Sequence, residues 1–350
     1  MEEAMKPSHA VTELESAPAS SREFTPPENS PPSPNDENRK RVQEMALRQL
    51  HRFISYEAKV LKGDDADAIH DMRVASRRLQ QVLDLLYPDP QPQMVRRSRK
   101  QIRRCRQLLG DVRNCDVMLE IVNRSLARKR SARREAWTAV QHFLIMRRSE
   151  AFLVAVRKVG KLNLSILYVN LKELLEHDNA HHPSADASHP TGDDAARPKF
   201  ANDLNQALES VWNHFADQIA HSHRDSHPEI IHGARIATKR LRYLLEVFHE
   251  LGAPGSADAL ICLRQLQKDL GDWHDLVVLE QMTIEMLAHT KFLRDHLPLA
   301  MQVEKLILRN RENRVGLEEK YFHLSGESIE MQRLKEWISG RLATLPRTAD

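Results

Sequence analysis

The chain has little of what sheets, disulfide frameworks and membrane spans require. Glycine accounts for 11 of the 350 residues and aromatic residues for 5%. Leucine, alanine, arginine and glutamate are abundant instead, a composition that favours helices over sheets. The three cysteines, Cys105, Cys115 and Cys262, are an odd number without metal-type pairing, so no disulfide framework is indicated.

Targeting signals are also missing from the sequence. The opening MEEAMKPSHAV lacks the basic segment and apolar run of a secretory signal. No apolar run approaches the ~18 residues that a membrane span needs. We therefore expect a protein of the reducing cytoplasm that has no membrane partner.

Charge is distributed unevenly along the chain, although the net charge is only +3. Residues 43–177 carry 27 Lys and Arg against 15 Asp and Glu, whereas residues 199–350 carry 19 against 22. A strongly basic first half indicates a polyanionic partner.

Composition divides the chain into four segments. Residues 1–42 are rich in Pro, Ser and Glu and are predicted to be a disordered tail. Helical patterns cover 43–177 and 199–346, and the Pro- and Asp-rich residues 178–198 between them are predicted to be a flexible linker. The linker histidines could chelate a metal, but no rigid element would fix their geometry, so no metal site is assigned.

Two pairs of similar segments predict that the helical halves are a tandem duplication. IHDMRVASRRLQQVLDLL begins at Ile69 and IHGARIATKRLRYLLEVF at Ile231; IRRCRQLLGDVRNCDVMLE begins at Ile102 and LRQLQKDLGDWHDLVVLE at Leu263. We expect an all-α fold with four or five helices in each half. The shared Leu-Gly-Asp predicts left-handed glycines ending helices at Gly110 and Gly271, with Asp111 and Asp272 as N-caps of the next helices.

Each motif helix has one apolar and one basic face. The apolar stripes are formed by Met72, Ala75, Leu79, Val82, Leu83 and Leu86, and by Ala234, Ala237, Leu241, Leu244, Leu245 and Phe248. The candidate anion-binding residues on and beside the opposite faces are His70, Arg73, Arg77 and Arg78, with His232, Arg235, Lys239 and Arg240. The following helix adds Arg99, Arg103 and Arg106, and Arg264 is the second-half equivalent of Arg103.

The spacing of these cations favours binding over a merely solvated surface. Like charges one turn apart repel by a few tenths of a kcal/mol per pair, and the stripes contain no acidic residue. Rows of Arg and Lys suit phosphate oxygens, while the aromatic residues fall mostly on core faces. The sequence therefore indicates a repetitive polyanion without bases.

The paired motifs resemble the CHAD domain, the conserved histidine α-helical domain, over residues of about 43–346. The resemblance implies two helical bundles related by a pseudo-twofold axis around a basic cavity. It also implies binding of inorganic polyphosphate on cytoplasmic granules, with other granule proteins as further partners and no cofactor. One departure is Asn114, which stands where the family's first Leu-Gly motif usually has Asp.

Two other functions compete with this interpretation. His70-Asp71 and His274-Asp275 match the start of a metal-dependent phosphohydrolase site, yet arginine neighbours would repel the metal and Gly233 replaces the acid in the second motif. We therefore assign no catalytic residue and expect no enzyme activity. Non-specific nucleic-acid binding through the basic half is the other alternative; specific nucleic-acid recognition is not expected.

Overall fold

Helices are the regular secondary structure of the described part of the protein. A computed structural model describes residues 34–63, 65–128, 133–177 and 199–343, and within these ranges there are thirteen α-helices and no β-strand. The all-α prediction is confirmed. In chain order the helices are α1 (Pro34–Ser55), α2 (Glu57–Lys62), α3 (Ala66–Leu86), α4 (Gln93–Leu108), α5 (Gly110–Leu126), α6 (Arg134–Val159), α7 (Leu164–His177), α8 (Lys199–Arg224), α9 (Pro228–Glu250), α10 (Ser256–Ala288), α11 (Thr290–Asp295), α12 (Leu297–Ser325) and α13 (Ile329–Ala343).

The first helix begins earlier than the sequence indicated. Helix α1 starts at Pro34, so residues 34–42 of the predicted tail are helical, and its buried face begins at Val42. The rest of the predicted tail and the linker 178–198 lie outside the described residues. The division of the chain at that linker stays a prediction.

Helices α3 and α9 bury the apolar stripes that their sequences predict. Every residue of both stripes is buried, from Met72 to Leu86 on α3 and from Ala234 to Phe248 on α9. Helix α3 is started by Asp65, whose carboxylate accepts a hydrogen bond of 2.8 Å from the Ala68 amide. Proline at the first position of α9 supplies a pre-set helical φ. Because the apolar stripes face the core, the basic faces on the opposite sides of α3 and α9 remain available to bind a ligand.

Buried apolar residues of both halves share two cores. The larger core joins α3 and α9 with α1, α4, α7, α8, α13 and the first half of α10. The smaller core lies between α5, α6, the end of α10 and α12. Helices α3 and α9 also contact one another directly, which brings the two basic motifs close together.

The Leu-Gly-Asp prediction is wrong in both motifs. Neither Gly110 nor Gly271 has a positive φ, and the residue that precedes α5 is Leu109, which provides no side-chain cap. Gly110 is the first residue of α5, and Gly271 lies inside the uninterrupted α10. Burial of the apolar seam through Leu270 and Trp273 offsets the roughly 1 kcal/mol that an interior glycine costs a helix.

Candidate anion-binding site

Five basic side chains from three helices form a central cluster: Arg73 and Arg77 of α3, Arg106 of α4, and Arg235 and Lys239 of α9. Four-residue spacing places the pair from each motif helix on one face of that helix. The charge of Arg77 lowers the pKa values of the other four members, so it lies at the electrostatic centre. The structure therefore brings together five of the twelve candidate residues from both motifs.

Lys239 is the most perturbed member of this cluster. Burial lowers its pKa to about 6, and the charges of Arg235 and Arg77 contribute in the same direction. Asp275 on α10 opposes this shift without compensating it. At neutral pH the ammonium form is thus disfavoured until negative charge arrives nearby.

Three arginines of the cluster are similarly desolvated. Burial, reinforced by the neighbouring cations, lowers the pKa values of Arg73, Arg106 and Arg235 to about 10 in each case. Within the described ranges, no member of the central cluster forms an ion pair with a carboxylate. The buried Nε of Arg235 also lacks a hydrogen-bond acceptor there. The cluster is consequently a concentration of basic side chains that no direct ion pair in the described residues neutralises.

Two of these arginines also hold α4 in position. Arg73 donates a hydrogen bond through Nη1 to the carbonyl oxygen of Arg106, one of the last carbonyls of α4. A Cβ at Gly110 would lie 3.6 Å from the same Nη1, so α5 begins where this guanidinium approaches the backbone. Arg106 in turn donates to the side-chain oxygen of Gln80. Both acceptors are neutral, so the positive charges remain.

The candidate histidines lie beside the cluster. His232 stacks on His274 of α10, with ring centroids 5.1 Å apart. Burial lowers the pKa of His232 to about 4, and His274, Arg235 and Lys239 add to that effect. The exposed His70 on α3 has a lowered pKa because of partial desolvation and the charge of Arg113.

Sequence reasoning missed Arg113 and His274 as members of the site. Arg113 of α5 acts electrostatically on Arg73 and His70, and His274 contacts His232. The signal was present, because the two residues occupy equivalent positions three residues after the motif glycines Gly110 and Gly271. Their side-chain types differ, which concealed the equivalence.

The remaining candidate residues lie next to carboxylates. Arg99 pairs with Asp84, and burial raises the pKa of that carboxyl while the charges of Arg99, Arg240 and Arg103 oppose the rise. Arg78 lies 3.3 Å from Glu246. The exposed Arg264 lines a surface cavity whose wall also includes Arg78, Glu246 and Glu250. Arg78 and Arg99 are therefore neutralised by direct ion pairs, which no member of the central cluster forms in the described residues.

Comparison with known proteins identifies a family for the fold. The family model described as the CHAD domain matches residues 44–283. The CHAD domain from the plant Ricinus communis is 20% identical over 88% of this chain and 92% of its own, with a TM-score of 0.57. PptA from Streptomyces chartreusis is 14% identical over 82% of this chain and 98% of its own, with a TM-score of 0.58. The comparison with curated proteins gave no match.

The same described ranges contain neither a candidate membrane span nor a candidate metal site. None of their helices has both the length and the apolar content needed to cross a bilayer. No group of three or more His, Cys, Asp or Glu side chains there is arranged to hold a metal ion.

Proposed function

The chain belongs to the CHAD domain family, and we propose that its central cluster binds inorganic polyphosphate. The supporting observation is a set of four desolvated basic side chains, Arg73, Arg106, Arg235 and Lys239, around Arg77, and within the described residues none of the five forms an ion pair with a carboxylate. Buried positive charge without a partner is destabilising. A polyanion that enters the cluster supplies the missing negative charge.

Phosphate is the anionic group that this arrangement suits. Arginine forks offer paired donors to phosphate oxygens, and lysine adds a compact charge. The donors come from α3 and α9, two helices in direct contact, so consecutive phosphates of one chain can be contacted from both motifs. A ligand with repeated phosphates gains more from this arrangement than a single phosphate does.

We propose a binding role without catalysis, carried out in the cytoplasm on polyphosphate granules. His274 and Asp275 lie beside Arg235, whose positive charge opposes a divalent cation at that position. The chemistry of the cluster is thus that of an anion receptor. Granule association follows from the ligand and is tested by imaging a fluorescent fusion together with stained polyphosphate.

The binding experiment compares the wild type with the variant Arg77→Ala/Lys239→Ala. We expect the variant to bind long-chain polyphosphate about 100-fold more weakly, because each charge-assisted contact contributes roughly 1.5 kcal/mol. The matched control is Arg97→Ala/Arg104→Ala, which removes two exposed cations from α4. This control should retain affinity within threefold.

Competition and product analysis in the same samples separate the alternatives. A polyphosphate site should resist RNA supplied at equal phosphate concentration, at both low and high salt. Equal displacement by RNA would identify a non-specific polyanion surface. Orthophosphate released on addition of Mg²⁺ or Mn²⁺ would identify a phosphohydrolase. Unchanged binding in the Arg77→Ala/Lys239→Ala variant would place the ligand elsewhere.

A further inference from the structure

A second basic concavity lies away from the central cluster, between α5, α6, α10 and α12. This cleft has a volume of about 400 Å³, within the range of small-molecule sites. Its floor is apolar and includes Trp137, Leu276 and Leu306, and its rim carries Arg128, Arg133 and Arg309. None of the proposed polyphosphate-binding residues lines it.

The three rim arginines are free to meet an anion. Among the described residues that line the cleft there is no carboxylate. Within the described ranges, Arg128, Arg133 and Arg309 form no ion pair, whereas Arg311 and Arg314 on the same helix as Arg309 both pair with Glu280. The cleft therefore combines arginines that form no ion pair in the described residues with an apolar floor.

Trp137 gives the floor its chemical character. The indole packs against the smaller core on one side and is partly exposed toward the cleft on the other. A flat aromatic surface of this kind can stack on a nucleobase of any type. Asn313, which is exposed at the rim, offers both a donor and an acceptor to a polar ring edge.

The surroundings of the cleft favour a short ligand over a polymer. An adjoining groove shares Ser125 and Arg128 with the cleft and is also lined by Asp272 and Asp275. Asp275 is the carboxylate that acts on Arg235 and Lys239 of the central cluster. Two carboxylates at this junction repel a polyanion that would extend from one basic region to the other.

We propose that this cleft binds a nucleoside di- or triphosphate, with the base on Trp137 and the phosphates on Arg128, Arg133 and Arg309. The ligand class follows from the pairing of an exposed aromatic surface with three guanidinium groups across one small concavity. The proposal does not depend on polyphosphate binding, because the two sites share no side chain.

The test is calorimetric titration of the full chain with ATP and with inorganic tripolyphosphate, without divalent cations. The Arg77→Ala/Lys239→Ala variant serves as the host so that the central cluster does not contribute. We expect ATP to bind at least tenfold more tightly than tripolyphosphate, which has the phosphates but no base. Equal affinities would overturn the proposal and assign the cleft to phosphate alone.

Substitutions in the host then locate the ligand. Trp137→Leu should weaken ATP binding about tenfold and Trp137→Phe much less, since phenylalanine keeps an aromatic face. Arg309→Ala should also weaken ATP binding about tenfold. The control is Lys305→Ala, which removes an exposed cation of α12 that does not line the cleft and should leave ATP binding unchanged.

Arg309 is exposed, so its variant remains informative if Trp137→Leu misfolds. Unchanged ATP affinity in Arg309→Ala would overturn the proposal. Loss of ATP binding in the host itself would also overturn it by assigning ATP to the central cluster.

Discussion

Arg78 of α3 pairs with Glu246 of α9 across the contact between the two motif helices, at 3.3 Å. The equivalent positions with the helices exchanged are Arg240 and Asp84, and there the charge of Arg240 opposes the rise that burial causes in the pKa of Asp84. Such reciprocity is what a twofold axis between α3 and α9 would produce. The pseudo-twofold relation itself stays a prediction.

At a second set of equivalent positions each half carries one Arg and one Gln, but the two residue types lie on opposite helices in the two halves. Arg106 donates to Gln80 in the first motif, whereas Arg242 donates to Gln267 in the second. The arginine therefore lies on the second of the two helices in the first half and on the first of them in the second half. Arg242 also pairs with Glu246, so this exchange leaves one fewer unpaired arginine in the second half.

Stability should rise with pH in the absence of a polyanion because of Lys239. Its folded-state pKa of about 6 lies below the unfolded value of 10.5, so the unfolded chain binds the extra proton between these values. Stability contributed by this residue therefore increases from about pH 6 upward, by at most about 1.4 kcal/mol per pH unit. Chemical denaturation at pH 6.5 and 8.5 should give a smaller pH difference for Lys239→Met than for the wild type. Identical pH differences would contradict a desolvated lysine.

Polyphosphate affinity should change with pH in the opposite direction. A bound polyanion raises the pKa values of Lys239 and of the neighbouring His232, so binding takes up protons. Affinity should consequently increase as the pH falls from 8 to 6, and the increase should be smaller in Lys239→Gln. The check is a titration at constant ionic strength, with proton uptake measured in buffers of different ionisation enthalpy. An affinity that stays constant over this range would exclude the coupling.

Periodicity and charge were sufficient to predict the all-α class, both apolar stripes and the placement of a basic face on each motif helix. These features depend on spacing within a single helix. Leu79 and Leu241 illustrate this, because each is buried with its helical neighbours, as its position predicts.

Contacts between distant helices were not predictable in the same way. The neutralisation of Arg99 by Asp84 and the stacking of His232 on His274 depend on how whole helices pack. The mistaken role of Gly271 has the same origin, because its local sequence suits a helix end while burial of Leu270 and Trp273 keeps α10 continuous. Tertiary packing overrides a local preference worth about 1 kcal/mol.

Two consecutive arginines of α6 should contribute very differently to stability. Arg148 pairs with Asp116, whose side chain is only 4% exposed, and it also donates to the Gly63 carbonyl at 3.3 Å. Removing Arg148 leaves a buried carboxylate without its partner, so Arg148→Ala should destabilise the fold by about 3 kcal/mol or more. The matched control is Arg147→Ala, which breaks an ion pair to Glu285 with both side chains about one-third exposed; it should cost less than about 1 kcal/mol. Urea denaturation of both variants checks this, and equal losses would contradict the burial argument.

Gly271→Ala distinguishes the continuous α10 from the helix end that the Leu-Gly-Asp motif predicts. In the structure a Cβ at this position meets no atom within 4 Å, and the backbone does not have a positive φ. Alanine should therefore stabilise the fold by up to about 1 kcal/mol, because it lowers the conformational entropy of the unfolded chain and favours the helix. A left-handed glycine would give the opposite sign.

Gly63→Ala provides the contrast within the same protein. Gly63 has φ of 79°, and a Cβ there would lie 2.1 Å from the Phe152 ring, so this substitution should destabilise by about 1 kcal/mol or more. Both free energies of unfolding are measured by urea denaturation under identical conditions. Destabilisation by both substitutions would mean that Gly271 ends a helix after all and that α10 consists of two helices.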